Sequence, residues 1–249
     1  MPIAVTAQTA LPATVELGEL GQTASVRLRV GDTLRVVLAA NVSTGYSWQV
    51  TGNDAGILQP ASSQNAPAAP QRVGAPGQQT LSFAAKAPGQ DHLTLHYVRP
   101  WEKNAKPART YAVSLTVQPA GNSSDSPVVT PTGMLIGTYS GKSRCADCSG
   151  IVTTVALYAV SPQQMTGTYY VRTMKYLGSP NGDTISVSAG KWSLKTGTPA
   201  AANAIVYSLR SNTSDHVDSY QLNGDTLAVI GSDGKLAQNP YNTNLQKQP

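Results

Sequence analysis

Two antiparallel β domains, a sandwich followed by a small barrel, are what this 249-residue sequence predicts. Three observations carry the expectation. Val, Thr, Tyr and Leu alternate with polar residues along many short runs, the period of two that a half-buried strand requires. Gly (22) and Pro (17) punctuate those runs at turn positions. No apolar run at helical spacing exceeds about three turns, and the Ala-rich pieces PAAPQ (67–71) and PAAAN (199–203) are short and broken by Pro or Asn. The length suffices for two domains of ordinary size.

The first half, 12–118, reads as a series of strands: SVRLRV (25–30), TLRVVLAA (33–40), YSWQVT (46–51), TLSFAAK (80–86), HLTLHYVRP (92–100) and TYAVSLTV (110–117). The turn signals GD (31–32), APGQD (87–91) and KPA (106–108) separate them. Short strands at this spacing make an antiparallel sandwich. The polar stretch 53–79 reads as one long loop, a length that is usually functional or mobile. Composition then breaks at QPAGNSSDSPVVTPTG (118–133), with no aromatic and one charge, Asp125, which predicts a linker over 119–133. Beyond it, 134–245 alternates again in MLIGTYSG, IVTTVALYAV, MTGTYYVRTMKYLG, TISVSAGKWSL, AIVYSLRS and SYQLNGDTLAVIG. That spacing suits a meander barrel closing on itself, which removes edge strands. No repeat relates the halves.

Hydrophobic content of 40% and charged content of 12% exclude disordered and coiled-coil classes. The net charge of +5 is spread thinly, nine Lys/Arg against six Asp/Glu in 1–120 and nine against seven in 121–249. No window interleaves basic residues with aromatics, so nucleic acid is not an expected partner. The sequence has no run of about 18 apolar residues, so no membrane span is expected. The Thr/Gln/Asn/Ser-rich, Lys-poor composition is that of exported β-proteins, and MPIAVTAQTALPAT (1–14) is too short and polar to be a secretory apolar region. A mature exported chain, its signal removed, is the expectation.

The residue inventory argues against an enzyme, because no set supplies nucleophile and base. His92 and His96 share one strand face at i, i+4, about 13 Å apart, too far to hold one metal ion together. His216 reads as a polar loop histidine. No GxSxG elbow, phosphate-cradling loop or HExxH is present.

Three stretches of the first half are richer than passive turns need: NVSTGYSW (41–48), VGAPGQ (73–78) and YVRPWEK (97–103). Each joins Gly or Pro, which shape the backbone, to a residue offered to solvent. The first and third leave consecutive strand pairs at one end, and the second can fold back to join them. This predicts a binding edge of loops on a rigid sandwich. Trp101 reads equally well as a surface aromatic packed on its own domain.

These loops resemble the three signature loops of the chagasin family of cysteine-protease inhibitors. That family's first loop reads Asn-Pro-Thr-Thr-Gly-aromatic, matched by Asn41, Thr44, Gly45 and Tyr46, conservatively by Ser43, with Val42 in place of the proline. Its Gly-x-Gly-Gly loop is matched loosely by Gly74, Ala75, Pro76 and Gly77, and its Arg-Pro-Trp fully by Arg99, Pro100 and Trp101. The resemblance covers about 12–118. It implies an immunoglobulin-like sandwich whose loops form a wedge entering the cleft of papain-like cysteine proteases. Ser43, Thr44 and Gly45 would meet the catalytic cysteine, Trp101 and Arg99 the primed side, and Gly74–Gly77 the non-primed side.

The second half turns on SRCADCSGIVTTVALY (143–158), which holds the only two cysteines, Cys145 and Cys148. A CxxC suits a local disulfide, a redox pair or two soft-metal ligands. Zinc would want two further ligands; Cu(I) accepts two thiolates, with Met134, Met165 or Met174 as candidate helpers. CADCSGI (145–151), GTYYV (167–171), GKW (190–192) and YQLNGDTLAVIGSDGK (220–235) resemble the N-terminal domain of the NlpE family of envelope copper-resistance and stress-signalling lipoproteins. That resemblance implies a lipocalin-like barrel, a periplasmic or other envelope location and possible copper at Cys145 and Cys148. The expectation is a monomeric two-domain exported protein that inhibits papain-like cysteine proteases and carries an envelope stress or copper module. The alternative is an envelope metal-handling or redox-signalling protein whose sandwich is only a protein-interaction module.

Overall fold

The computed structural model describes residues 12–19, 24–67, 77–103, 105–121, 126–180, 182–214, 216–238 and 244–249. All regular elements there, one short 3-10 turn apart, are strands. The chain divides into two units, residues 1–15 with 25–128 and residues 16–24 with 129–249. In the first unit, β1 (Ala13–Leu17), β3 (Thr33–Ala40), β6 (Gly77–Ala85) and β5 (Leu58–Ala66) follow one another in one sheet. The second sheet runs β4 (Ser47–Gly52), β7 (Gly89–Val98), β8 (Arg109–Gln118), β2 (Ala24–Arg29). The result is an immunoglobulin-like β-sandwich.

The alternation read from the sequence becomes the core. Along β8, Tyr111, Val113, Leu115 and Val117 are buried while Arg109, Thr110, Ser114 and Gln118 are exposed. On β6 the inward row is Gln79, Leu81, Phe83 and Ala85. Trp48, Leu93 and Leu95 complete the facing layer. β2 and β8 pair in parallel, Ser25 opposite Ser114, so the chain cannot turn directly between them and instead crosses to the other sheet.

The stretch 53–79 is not one loop. Residues 58–66, LQPASSQNA, form β5, paired antiparallel with β6. Only Leu58 of β5 is buried, so no inward apolar row betrays the strand. An outer strand needs no second buried face, and its Pro60 sits at a register shift, where a missing N–H is tolerated. The composition that reads as a linker at 119–133 holds a short strand, β9 (Val128–Pro131), with Val129 and Pro131 buried. Alternation over four residues is too short to stand out from its Pro- and Ser-rich surroundings.

In the second unit β10 (Met134–Ser143), β11 (Gly150–Ser161), β12 (Thr166–Leu177), β13 (Thr184–Thr198), β14 (Ala201–Ser211), β15 (Val217–Asn223), β16 (Thr226–Val229) and β17 (Leu245–Lys247) pair each with the next. β17 then pairs with β10, Lys247 opposite Tyr139, and closes an eight-strand barrel. Closure satisfies the outermost main-chain groups that an open sheet leaves bare. Tyr139, Leu157, Tyr170, Trp192, Leu209, Tyr220 and Leu245 fill the interior. The Trp192 indole N–H donates to the Tyr158 carbonyl at 2.9 Å, so the buried ring leaves no polar atom bare. No helix among the described residues is long and apolar enough to cross a membrane.

Candidate functional site

β4 pairs with β7 so that Ser47 lies opposite Val98, which brings residues 41–46 and 99–103 out at the same end of the sandwich. Gly77 lies opposite Ala40, so the strand that follows 68–76 also begins at that end. Gly74, Ala75 and Pro76 lie outside the described residues; Gly77 opens β6.

Residues 42–44 form a single 3-10 turn capped by Asn41, whose backbone is extended. The Asn41 side-chain oxygen accepts the Ser43 main-chain N–H at 3.2 Å and the Ser43 hydroxyl at 2.6 Å. The Thr44 hydroxyl donates back to the Asn41 carbonyl at 2.6 Å. Asn is suited to this because its short amide bonds its own backbone two residues on. Both hydroxyls are thus bonded within the loop, and the tip presents Val42, 58% exposed, with Ser43 and Thr44 also at the surface. Gly45 ends the turn at φ +78°, where a Cβ is disfavoured.

Trp101 supplies a second reason for that glycine. Its six-membered ring lies directly on Gly45, and a Cβ there would collide with Cη2 and Cζ2 of the indole. Trp101 is nonetheless 65% exposed. It is therefore both packed on its own domain and offered outward, two roles that the sequence leaves as alternatives.

The structure gives Arg99 a position that the sequence does not foretell. Its Nε donates to the Thr44 carbonyl at 3.2 Å, its Nη1 pairs with Glu102 at 3.1 Å, and its guanidinium stands 4.6 Å over the Tyr46 ring. The hydrogen bond to Glu102 raises its pKa above the ordinary arginine value. Tyr46 stacks on Tyr97 at 5.2 Å, Tyr97 meets Trp48 at 5.1 Å, and Arg109 stands 5.3 Å over Trp48. The Tyr97 hydroxyl accepts the Asn41 N–H at 2.8 Å. A ladder of three rings between two cations thus ties the first and third loops together.

Elsewhere, His92 Nδ1 is 3.0 Å from Ser114 Oγ on the exposed sheet face, while Asp91 Oδ1 accepts the main-chain N–H groups of Asp54 and His92. In the barrel, Asp218 receives Arg172 Nη1 at 2.5 Å and faces His216 Nε2 at 2.9 Å, a polar cluster the sequence reading passes over. Burial pushes the neighbouring Tyr220 hydroxyl up to about 12.

Cys145 and Cys148 form a disulfide between Cα atoms 5.2 Å apart, with Asp147 Oδ1 3.4 Å from the Cys145 sulfur. In this form neither sulfur is a thiolate, so the pair does not fit Cu(I). Register removes two of the three candidate methionine helpers. The cysteine loop joins the end of β10 to the start of β11, whereas Met134 opens β10 opposite Ala159 and Met165 lies in the turn after β11, both at the far end of the barrel. Met174 lies opposite Thr153, three residues along β11 from the loop.

The fold and these loops define an immunoglobulin-like sandwich with a preformed loop edge, and a closed barrel. Residues 27–115 match the Chagasin family peptidase inhibitor I42, and residues 139–239 match the NlpE N-terminal domain, so each half of the chain is similar to a different family. Amoebiasin-2 of Entamoeba histolytica is 27% identical over 96 residues, 38% of this chain and 78% of the relative. Amoebiasin-1 of the same organism is 26% identical over 106 residues, 42% of this chain and all of the relative. Among solved structures, the cysteine protease inhibitor EhICP2 from Entamoeba histolytica is similar at 22% identity over 43% of this chain and 97% of its own, with a TM-score of 0.38. PbICP-C in complex with falcipain-2 is similar at 20% identity over 47% and 96%, with a TM-score of 0.31.

Proposed function

We propose that the sandwich inhibits papain-like cysteine proteases by laying the 41–46 and 99–103 loops into the active-site cleft, and that it acts as a monomer. The observation that carries this reading is the seating of Trp101 on Gly45, which makes one preformed wedge from two distant loops. Ser43, Thr44 and Gly45 approach the catalytic cysteine, where hydroxyls already bonded to Asn41 leave a small, unreactive tip. The tip blocks the thiolate without offering a peptide carbonyl in attack geometry, so the inhibitor is not cut. Trp101 is the aromatic anchor on the protease wall, held in place before binding and so losing little freedom on docking. Val42 and Tyr46 flank the tip. Arg99 acts mainly as a brace, because Thr44, Glu102 and Tyr46 already engage its guanidinium. Pro100 fixes the turn that aims Trp101. Titration of papain with the full chain tests the reading; loss of papain activity at stoichiometric amounts is the expected result, and full activity at micromolar protein overturns it.

A second reading applies to the barrel and rests on the Cys145–Cys148 disulfide. A structural disulfide belongs to an oxidising compartment, and the match to the NlpE domain supports an envelope location. There the loop at 145–148 serves as a redox-responsive element. Copper could be held only after reduction frees both thiolates. Cu(I) titration of the reduced protein against Cys145→Ser/Cys148→Ser tests that point, and equal uptake by the two refutes it.

A further inference from the structure

We infer that Gln79 is a positioning residue that holds the protease-facing loops in register, an inference that rests on the wedge reading above. Gln79 occupies an inward position on β6, in the row of Leu81, Phe83 and Ala85, yet it is an amide and only 4% exposed. Buried amides are costly unless bonded, and this one is bonded at both ends. Its Oε1 accepts the Trp48 N–H at 2.7 Å, and its Nε2 donates to the Trp48 carbonyl at 3.0 Å and to Ser63 Oγ at 3.1 Å.

The placement of these partners gives the bonds their meaning. Trp48 is the second residue of β4, the strand that leaves the 41–46 loop. Ser63 lies on β5, which leads into residues 68–76, and Gln79 itself is two residues past the start of β6, which follows them. β4 is the outermost strand of its sheet, so the edge of Trp48 away from β7 has no neighbouring strand in that sheet. Gln79 fills that edge from the opposite sheet. One side chain therefore ties three strands together below the binding edge. A leucine would pack the core equally well, but it would leave the buried Trp48 N–H and carbonyl without these partners.

Two variants and two readouts test the inference on the full chain. Gln79→Leu removes all three bonds; Gln79→Glu keeps the acceptor for Trp48 N–H and removes the donor. Amide hydrogen exchange of residues 41–48 is compared with that of β7 and β8, alongside the inhibition constant for papain. The expected result is exchange at 41–48 accelerated tenfold or more while the β7–β8 core stays protected, and an inhibition constant weakened about tenfold, more for Leu than for Glu. A purely structural role would instead accelerate both regions together and leave the inhibition constant unchanged, and that outcome overturns the inference. If Gln79→Leu does not fold, Gln79→Glu decides by the same comparison. If the wild type leaves papain active, the wedge reading fails, while wild-type exchange at 41–48 in the folded variants would independently sink the clamp.

Discussion

The loop at 41–46 and the loop at 144–149 are both short, exposed and bordered by strands, yet they are held in opposite ways. The first is held by groups distant in sequence: Tyr97, Arg99 and Trp101 all reach it from more than fifty residues away. The second is closed on itself by a covalent bond between residues three apart. A binding tip must keep its shape while a partner presses on it, which calls for contacts from several strands. A redox loop must be able to open without disturbing the barrel, which calls for a bond that crosses nothing else. The small ring of Cys145 and Cys148 constrains the unfolded chain little, so it is a poor staple.

Substitutions can break this contrast. The largest effect is expected of Gly45→Ala, which puts a Cβ at φ +78° and into the Trp101 ring; inhibition of papain should weaken about 100-fold or more. Trp101→Ala should weaken it by about 2 kcal/mol, roughly 30-fold, with little change in melting temperature because most of the ring is exposed. Cys145→Ser/Cys148→Ser should leave inhibition untouched, and so should the reductant that a papain assay requires. An inhibition loss in that double variant would show that the two loops are not independent.

A pH scan probes the barrel instead. Burial holds Tyr220 neutral to about 12, above the ordinary tyrosine value of about 10. Between those values the unfolded chain has released the proton while the folded one keeps it, so stability is intact below about pH 10 and falls as pH rises toward 12. Its share of the loss should reach up to about 2 kcal/mol, read as a falling melting temperature, and Tyr220→Phe should remove that share while buried Tyr111 and Tyr170, whose hydroxyls are also pushed up, keep theirs. The smallest change in inhibition, apart from the null expected of the cysteine pair, belongs to Val42→Pro. Asn41 is already extended, as a residue before proline prefers, and Val42 opens the 3-10 turn. The change should tighten inhibition about twofold to threefold by reducing the freedom of the unbound loop.

Much of the fold was legible because alternation reports directly on a half-buried strand. The runs at 33–40 and 110–117 reappear as β3 and β8 almost residue for residue. Where a strand is exposed on nearly every residue, as β5 is, or only three residues long, as β17 is, alternation has no inward row to report, and both were illegible. The first and third loops of the site were legible as motifs since their Asn, Gly and Pro act on their own backbone. The remainder was not, because it arises between segments. Arg99 reads as a contact residue until its partners Thr44, Tyr46 and Glu102 are in place, and Gln79 reads as an ordinary polar position until β4 and β5 close around it.

The sequence by itself determined two all-β regions, the Asn41–Tyr46 and Arg99–Trp101 motifs and the local Cys145–Cys148 pair, since each depends on periodicity or on residues within a few positions of one another. Only the tertiary structure decided that Trp101 rests on Gly45, that Arg99 bonds the Thr44 carbonyl and that Gln79 ties three strands together. Those contacts join residues dozens of positions apart, and no short-range pattern encodes which distant partner strand pairing will bring alongside.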